Sequence, residues 1–247
     1  GINAEYGEQM NWFKKIVQHK ATKIFLSDGT YLIYGTMFAI QCSLYPASDA
    51  PANLSHFMKV LFNTISDMFN KKDNPDYFGY AIADFCVFGS LKLLLAVSNY
   101  QFPWLCASQL VQGLCIMLLA IVNPSVSQKA HLAFTYLAIF VSMAIGFQKA
   151  FQIKTPKLKQ LGTQLLTLVY TSSLTTFVVF LLHEASAKNA VQNFWEFCKT
   201  AIGLSIGYHE WYGIMVVLLA DWVINSESLK ELVIWAQGKM KKKTQVE

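Results

Sequence analysis

The chain has 247 residues, of which 54% are hydrophobic and only 14% charged, with a formal net charge of +5. That balance, with a positive mean hydropathy, excludes a disordered polar chain and points to a protein with several membrane spans. All twenty basic residues are lysine, so bidentate guanidinium recognition of phosphate or carboxylate is not open to it.

From the N-terminus, Trp12, Phe13, Ile16 and Val17 fall opposite Lys14, Lys15, Gln18 and Lys23. This is a basic amphipathic segment suited to a membrane surface, within an N-terminal region 1–29. A short apolar run, Thr30 to Tyr45, ends at Pro46 and spans only in a thin region or with help from its flanks. After a loop, Leu54, Phe57, Met58, Leu61, Ile65 and Met68 recur at helical spacing, predicting an interfacial helix over 54–70.

Four apolar segments follow at about Phe78 to Ser98, Phe102 to Val122, His131 to Phe151 and Leu161 to Leu182. Their connections are short and polar, which makes neighbours antiparallel. His131 and His183 are expected together at one membrane surface. The last span ends near Asn225, and 226–247 is a polar tail with an amphipathic start at Leu229, Leu232, Val233 and Trp235. Backbone groups in lipid must be satisfied within a segment, and strand alternation is missing, so the fold class is all-α. The expected architecture is a polytopic helical bundle over 30–225, with about six spans and interfacial amphipathic helices. Most loop lysines fall on the side of the termini, which places both termini inside.

No P-loop, GxSxG, HExxH or dinucleotide fingerprint occurs. The cysteines Cys42, Cys86, Cys106, Cys115 and Cys198 lack ligand spacing and read as small core residues. Chemistry is sought instead where ionisable groups sit in apolar runs, because each costs several kcal/mol unless it faces protein or water. Asp84 and Lys92 share one span and are expected to meet polar partners inside the protein, either in a functional pathway or in a structural ion pair joining helices. The last span carries His209, Glu210 and Asp221. Gly213, four residues after His209, clears the same helix face for a flat macrocycle or a neighbouring backbone.

The residues Tyr208-His209-Glu210-Trp211-Tyr212-Gly213-Ile214, followed by Asp221-Trp222, resemble the haem-bearing helix of the membrane-anchor subunits of succinate dehydrogenase, respiratory complex II. The likeness covers only this stretch, and Met215-Val216 stands where the family has Arg-His. It implies haem b ligation by His209 and a ubiquinone pocket beside Asp221 and Trp222. It also implies a flavoprotein, an iron–sulfur subunit and a second anchor as partners, in the mitochondrial inner membrane with both termini in the matrix. Membrane lipids are expected partners and nucleic acid is not. Two other readings fit the same residues: a non-catalytic scaffold subunit of a respiratory complex, and a small-solute or proton transporter using Asp84, Lys92 and Glu210 as a relay.

Overall fold

The structure, a computed structural model, describes residues 2–47, 50–69, 75, 77–152, 156–184, 193, 196–197, 199 and 205–244. Its elements in chain order are α1 (Ile2–Gln18), α2 (Lys20–Ile24), a π-helical turn (Phe25–Gly29), α3 (Thr30–Leu44), α4 (His56–Phe62) and a 3₁₀ turn (Ile65–Phe69). The long helices α5 (Phe78–Ser98), α6 (Pro103–Ile121), α7 (Pro124–Phe151) and α8 (Pro156–Glu184) follow, then α9 (Ile206–Asn225) and α10 (Glu227–Thr244). Among the described residues every regular element is helical.

Among the described residues three helices, α5, α6 and α7, are long and apolar enough to cross a membrane, and α9 with α10, bent by 57° at Ser226, makes a fourth if the pair is one span. The fifteen residues of α3 rise only about 22 Å, short of the roughly 30 Å of a hydrocarbon core.

The bundle has two ends. At the terminal end α1, α2 and α10 meet: Lys20 pairs with Glu231 at 2.6 Å, and Gln18 Nε2 donates to the Tyr100 hydroxyl at 2.9 Å. At the far end sit α4, the 3₁₀ turn and the start of α9. Between them α5 and α6 cross so closely that a Cβ on Gly113 would lie 2.9 Å from the Gly89 carbonyl oxygen, the small-residue contact typical of membrane helices. Against this pair, α3 contributes Tyr34, whose ring stacks on Phe88 at 4.1 Å. Phe69 meets Phe85 edge-on at 4.8 Å. Such ring pairs add about 0.5–1.5 kcal/mol each beyond the area they bury.

The segment 54–70 departs from the expected surface helix. It breaks after Phe62, and Val60, Phe62, Ile65, Met68 and Phe69 are buried. The break is stabilised locally, since Asp67 Oδ2 accepts from the Thr64 amide at 2.8 Å. The start of α9 then receives it: Trp211 Nε1 donates to the Asn63 carbonyl at 2.9 Å, and Ser205 Oγ donates to that of Phe62. Gly207 is what admits this contact, because a Cβ there would collide with the carbonyl oxygens of Phe62 and Asn63.

The sequence places α10 in the polar tail, but its start is tied into the body. Asp28 accepts from the Ser226 hydroxyl and, at 3.1 Å, from the Ser228 amide; Ser27 Oγ accepts from Glu227 N at 3.3 Å. Partial burial raises the Asp28 pKa, and the hydrogen bonds from Ser226, Ser228 and Ser27 outweigh it, so the carboxyl stays below its ordinary range. A carboxyl depressed by folding stabilises above its unfolded pKa and loses that contribution as pH falls through the folded value. The amides of Ser228 and Leu229 should therefore be less protected, relative to their intrinsic exchange rates, at acid pH than near neutrality, and Asp28→Asn should remove most of that difference. Equal protection at both pH values would refute the clasp.

Candidate functional site

The centre of the terminal half is a buried ion pair. Lys92 Nζ on α5 lies 2.5 Å from Asp221 Oδ2 on α9, and the two residues are 1% and 2% exposed. Tyr31 on α3 donates its hydroxyl to the same oxygen at 2.5 Å and accepts from Lys92 at 2.7 Å. Gln112 on α6 reaches Asp221 Oδ2 at 3.3 Å and the Ser142 hydroxyl of α7 at 2.7 Å. Asn225 Nδ2, one turn on, donates to Asp221 Oδ1 at 2.9 Å, and Gln109 and Asn99 continue the chain behind it. Asp221 thus collects donors from α3, α5, α6 and its own helix, which offsets the cost of burying its polar oxygens.

This cluster stands between two voids. On one side is an interior cavity of about 80 Å³ running along α7 and α9, with Glu210, His131 and Thr135 toward the far end and Gln112, Ser142 and Asp221 toward the ion pair. On the other is an open groove of about 790 Å³ at the terminal end, lined by Ile24, Phe25, Tyr31, Leu32 and Trp222, with Asp28 and Ser228 also on its wall. Tyr31 faces the groove and hydrogen-bonds Asp221, which faces the cavity. Trp222 forms no hydrogen bond through its indole N–H among the described residues, so a donor is left over on the groove wall.

At the far end Glu210 Oε2 accepts from the Ile65 amide at 2.6 Å, capping the 3₁₀ turn. His131, expected at the surface, is 2% exposed, and its Nδ1 donates to the Leu119 carbonyl at 2.8 Å. The reason is local: Asn123 and Pro124 start α7 two turns earlier than the apolar pattern does, and a kink at Ser127 turns the helix inward. The side chain of His183, expected beside it, and Cys198 lie outside the described residues.

His209 is half-buried and is not part of the cavity wall. Gly213, on the same face one turn on, packs against α8, where Ser173 Oγ donates to its carbonyl at 2.8 Å. Asp84 is 2% exposed, yet neither carboxylate oxygen meets a hydrogen-bond partner among the described residues. Lys92 reaches across the bundle to Asp221, so its ion pair joins α5 to α9.

The structure therefore unites Lys92 with Asp221, which the sequence placed in separate spans, and adds Tyr31, Gln112, Ser142 and Asn225, which it did not single out. A signal for some of them exists in retrospect. Gln109 and Gln112 are three apart, and Asp221 and Asn225 four apart, so each pair puts two polar groups on one face of an apolar helix.

No protein-family model matches the chain, and no curated protein or solved structure matches it. Among the described residues, fold and site together define an all-helical protein with three to four helices able to cross a membrane and a charged pair inside the bundle.

Proposed function

We propose that the chain is a membrane subunit of a respiratory complex that binds a ubiquinone-type ring in the groove beside Asp221 and Trp222. The observation that carries this reading is the partnerless Trp222 indole N–H on a groove that also presents the Tyr31 side of the ion-pair cluster. A groove of about 790 Å³ falls within the roughly 300–1,000 Å³ usual for small-molecule sites. A quinone has a flat apolar ring, carbonyl acceptors and a long apolar tail. Phe25 and Trp222 suit the ring, the indole N–H suits a carbonyl, and the exposed side chains of Phe25 and Leu32 suit a tail leaving sideways into lipid. Reducing a quinone takes two electrons and two protons. The electrons belong to a redox partner subunit, and the ionisable groups on the groove wall are Asp28 and Tyr31, with Lys92 and Asp221 hydrogen-bonded behind Tyr31.

The test uses a photoreactive ubiquinone analogue on the protein in its native membrane complex. Labelling is expected at Phe25 and Trp222. Trp222→Phe keeps the ring surface and removes the donor, so affinity should fall about three- to tenfold, the worth of one neutral hydrogen bond. Labelling elsewhere, or an unchanged affinity in Trp222→Phe, rejects the site. Haem ligation by His209 is a separate proposal from the same short resemblance, and a b-type absorbance in that complex, lost in His209→Ala, would carry it. Purification as a solitary protein would favour the transporter reading.

A further inference from the structure

We propose that Lys149, where α7 leaves the bundle at its terminal end, binds the phosphodiester of an anionic phospholipid. Three helices meet just before it: a Cβ on Gly146 of α7 would lie 2.6 Å from the Tyr170 hydroxyl of α8 and 3.2 Å from Ile224 Cδ1 of α9. Lys149 follows Gly146 by three residues, so its side chain stands on the same side of α7. It is half-buried, and it forms no hydrogen bond or ion pair among the described residues. The place is separate from the groove, because Trp222 and Ile224 are two residues apart and so point to nearly opposite faces of α9. The proposal does not rest on the quinone reading.

The charges around Lys149 define what is missing. Those within electrostatic reach are Asp221, Glu227, Lys230 and Lys92. Both carboxylates are taken, Asp221 by Lys92 at 2.5 Å and Glu227 by Lys230 at 3.2 Å. One positive charge is left over, and half-burying it without a counter-ion costs free energy. The helices beside it cannot supply one, since no Asp or Glu occurs between Asp84 and Glu184. The counter-ion that fits is singly charged, comes from outside the chain and is at hand where a membrane helix ends. A lipid phosphodiester meets all three conditions, and basic corners between membrane helices are known to hold such headgroups. Lys154, Lys157 and Lys159 follow in the sequence, and their charge repels a headgroup that also carries an amine, which favours net-anionic over zwitterionic lipid. The acyl chains have apolar surface to follow, as Leu165 and Leu168 of α8 and Leu219 and Val223 of α9 are each half exposed or more.

The test uses the full chain in detergent micelles, titrated with dioleoylphosphatidylglycerol or dioleoylphosphatidylcholine and read by native mass spectrometry and thermal unfolding. Phosphatidylglycerol should be retained more tightly than phosphatidylcholine and should raise the unfolding temperature. Lys149→Met keeps the stem and removes the charge, so its affinity for phosphatidylglycerol should fall by about tenfold or more, the worth of a hydrogen bond between charged groups. Lys157→Gln, at an exposed lysine, should change it by less than about threefold, as surface charges do. Without added lipid, Lys149→Met should unfold at no lower temperature than wild type, because it deletes a charge that no residue balances. A lower temperature there would mean that Lys149 has a partner within the chain, and the proposal would fall. Equal retention of the two lipids, or undiminished binding in Lys149→Met, overturns it as well. Inorganic phosphate should neither compete with the lipid nor protect the protein, and protection by phosphate alone would assign the site to a soluble anion and overturn the lipid reading. Quinone-analogue binding in the same preparation is read separately, so it survives or fails on its own.

Discussion

Replacing Lys92 by Met should lower the unfolding free energy by about 3–5 kcal/mol, the usual cost of removing one partner of a buried pair. The substitution keeps the volume of the stem but withdraws the cation 2.5 Å from Asp221 and leaves a carboxylate that is 2% exposed. Tyr31, Gln112 and Asn225 still donate to it, which limits the loss. The double replacement Lys92→Met with Asp221→Leu removes both charges and should recover much of the stability, because well-packed apolar groups often match a buried pair. Denaturant unfolding in detergent, followed by tryptophan fluorescence, measures both. A Lys92→Met protein within about 0.5 kcal/mol of wild type, the range of inert surface changes, would show that the pair contributes nothing to holding α5 on α9. The same comparison separates two roles for the pair. If the double variant is stable but loses quinone binding, the charges serve function and not the fold.

Gly113→Val should be the next most damaging change, at about 1–3 kcal/mol or more, the range for overpacked cores. A Cβ at this position would lie 2.9 Å from the Gly89 carbonyl oxygen and 2.8 Å from Leu93 Cδ2. Leu93 can change rotamer, but the Gly89 oxygen is backbone and moves only if α5 moves. Since α5 carries Lys92 one turn beyond Gly89, the ion pair is disturbed along with the packing. Gly35 on α3 is the control, as a Cβ there meets nothing within 4 Å. Gly35→Ala should stabilise by about 0.5–1 kcal/mol through helix propensity alone. Thermal unfolding in detergent ranks the two, and a Gly113→Val protein as stable as Gly35→Ala would mean that α5 and α6 do not meet closely.

The helical segments were legible in the sequence because their signals are local. The apolar runs at Phe78 to Ser98 and Phe102 to Val122 became α5 and α6 almost residue for residue, with Pro103 opening the second. The depth of Asp84, Lys92, Glu210 and Asp221 in apolar sequence was likewise enough to mark them as groups needing partners, since that cost does not depend on which partner is found. The identity of each partner was a different matter. Lys92 bonds a residue 129 positions away, and Asp28 holds residues about 200 positions away. Nothing in helical periodicity encodes which of several antiparallel neighbours a side chain will reach. The segment 54–70 shows the same limit: its spacing suits a surface helix, but the carbonyls of Phe62 and Asn63 are claimed by Ser205 and Trp211 of α9, and the helix breaks to meet them. The sequence by itself determined the all-helical class, the main helices and the ionisable groups inside them. Only the tertiary structure decided that Asp221, and not Asp84, takes Lys92, and that the resulting pair separates a cavity from a groove, because those outcomes follow from helix crossing and packing between segments far apart in the chain.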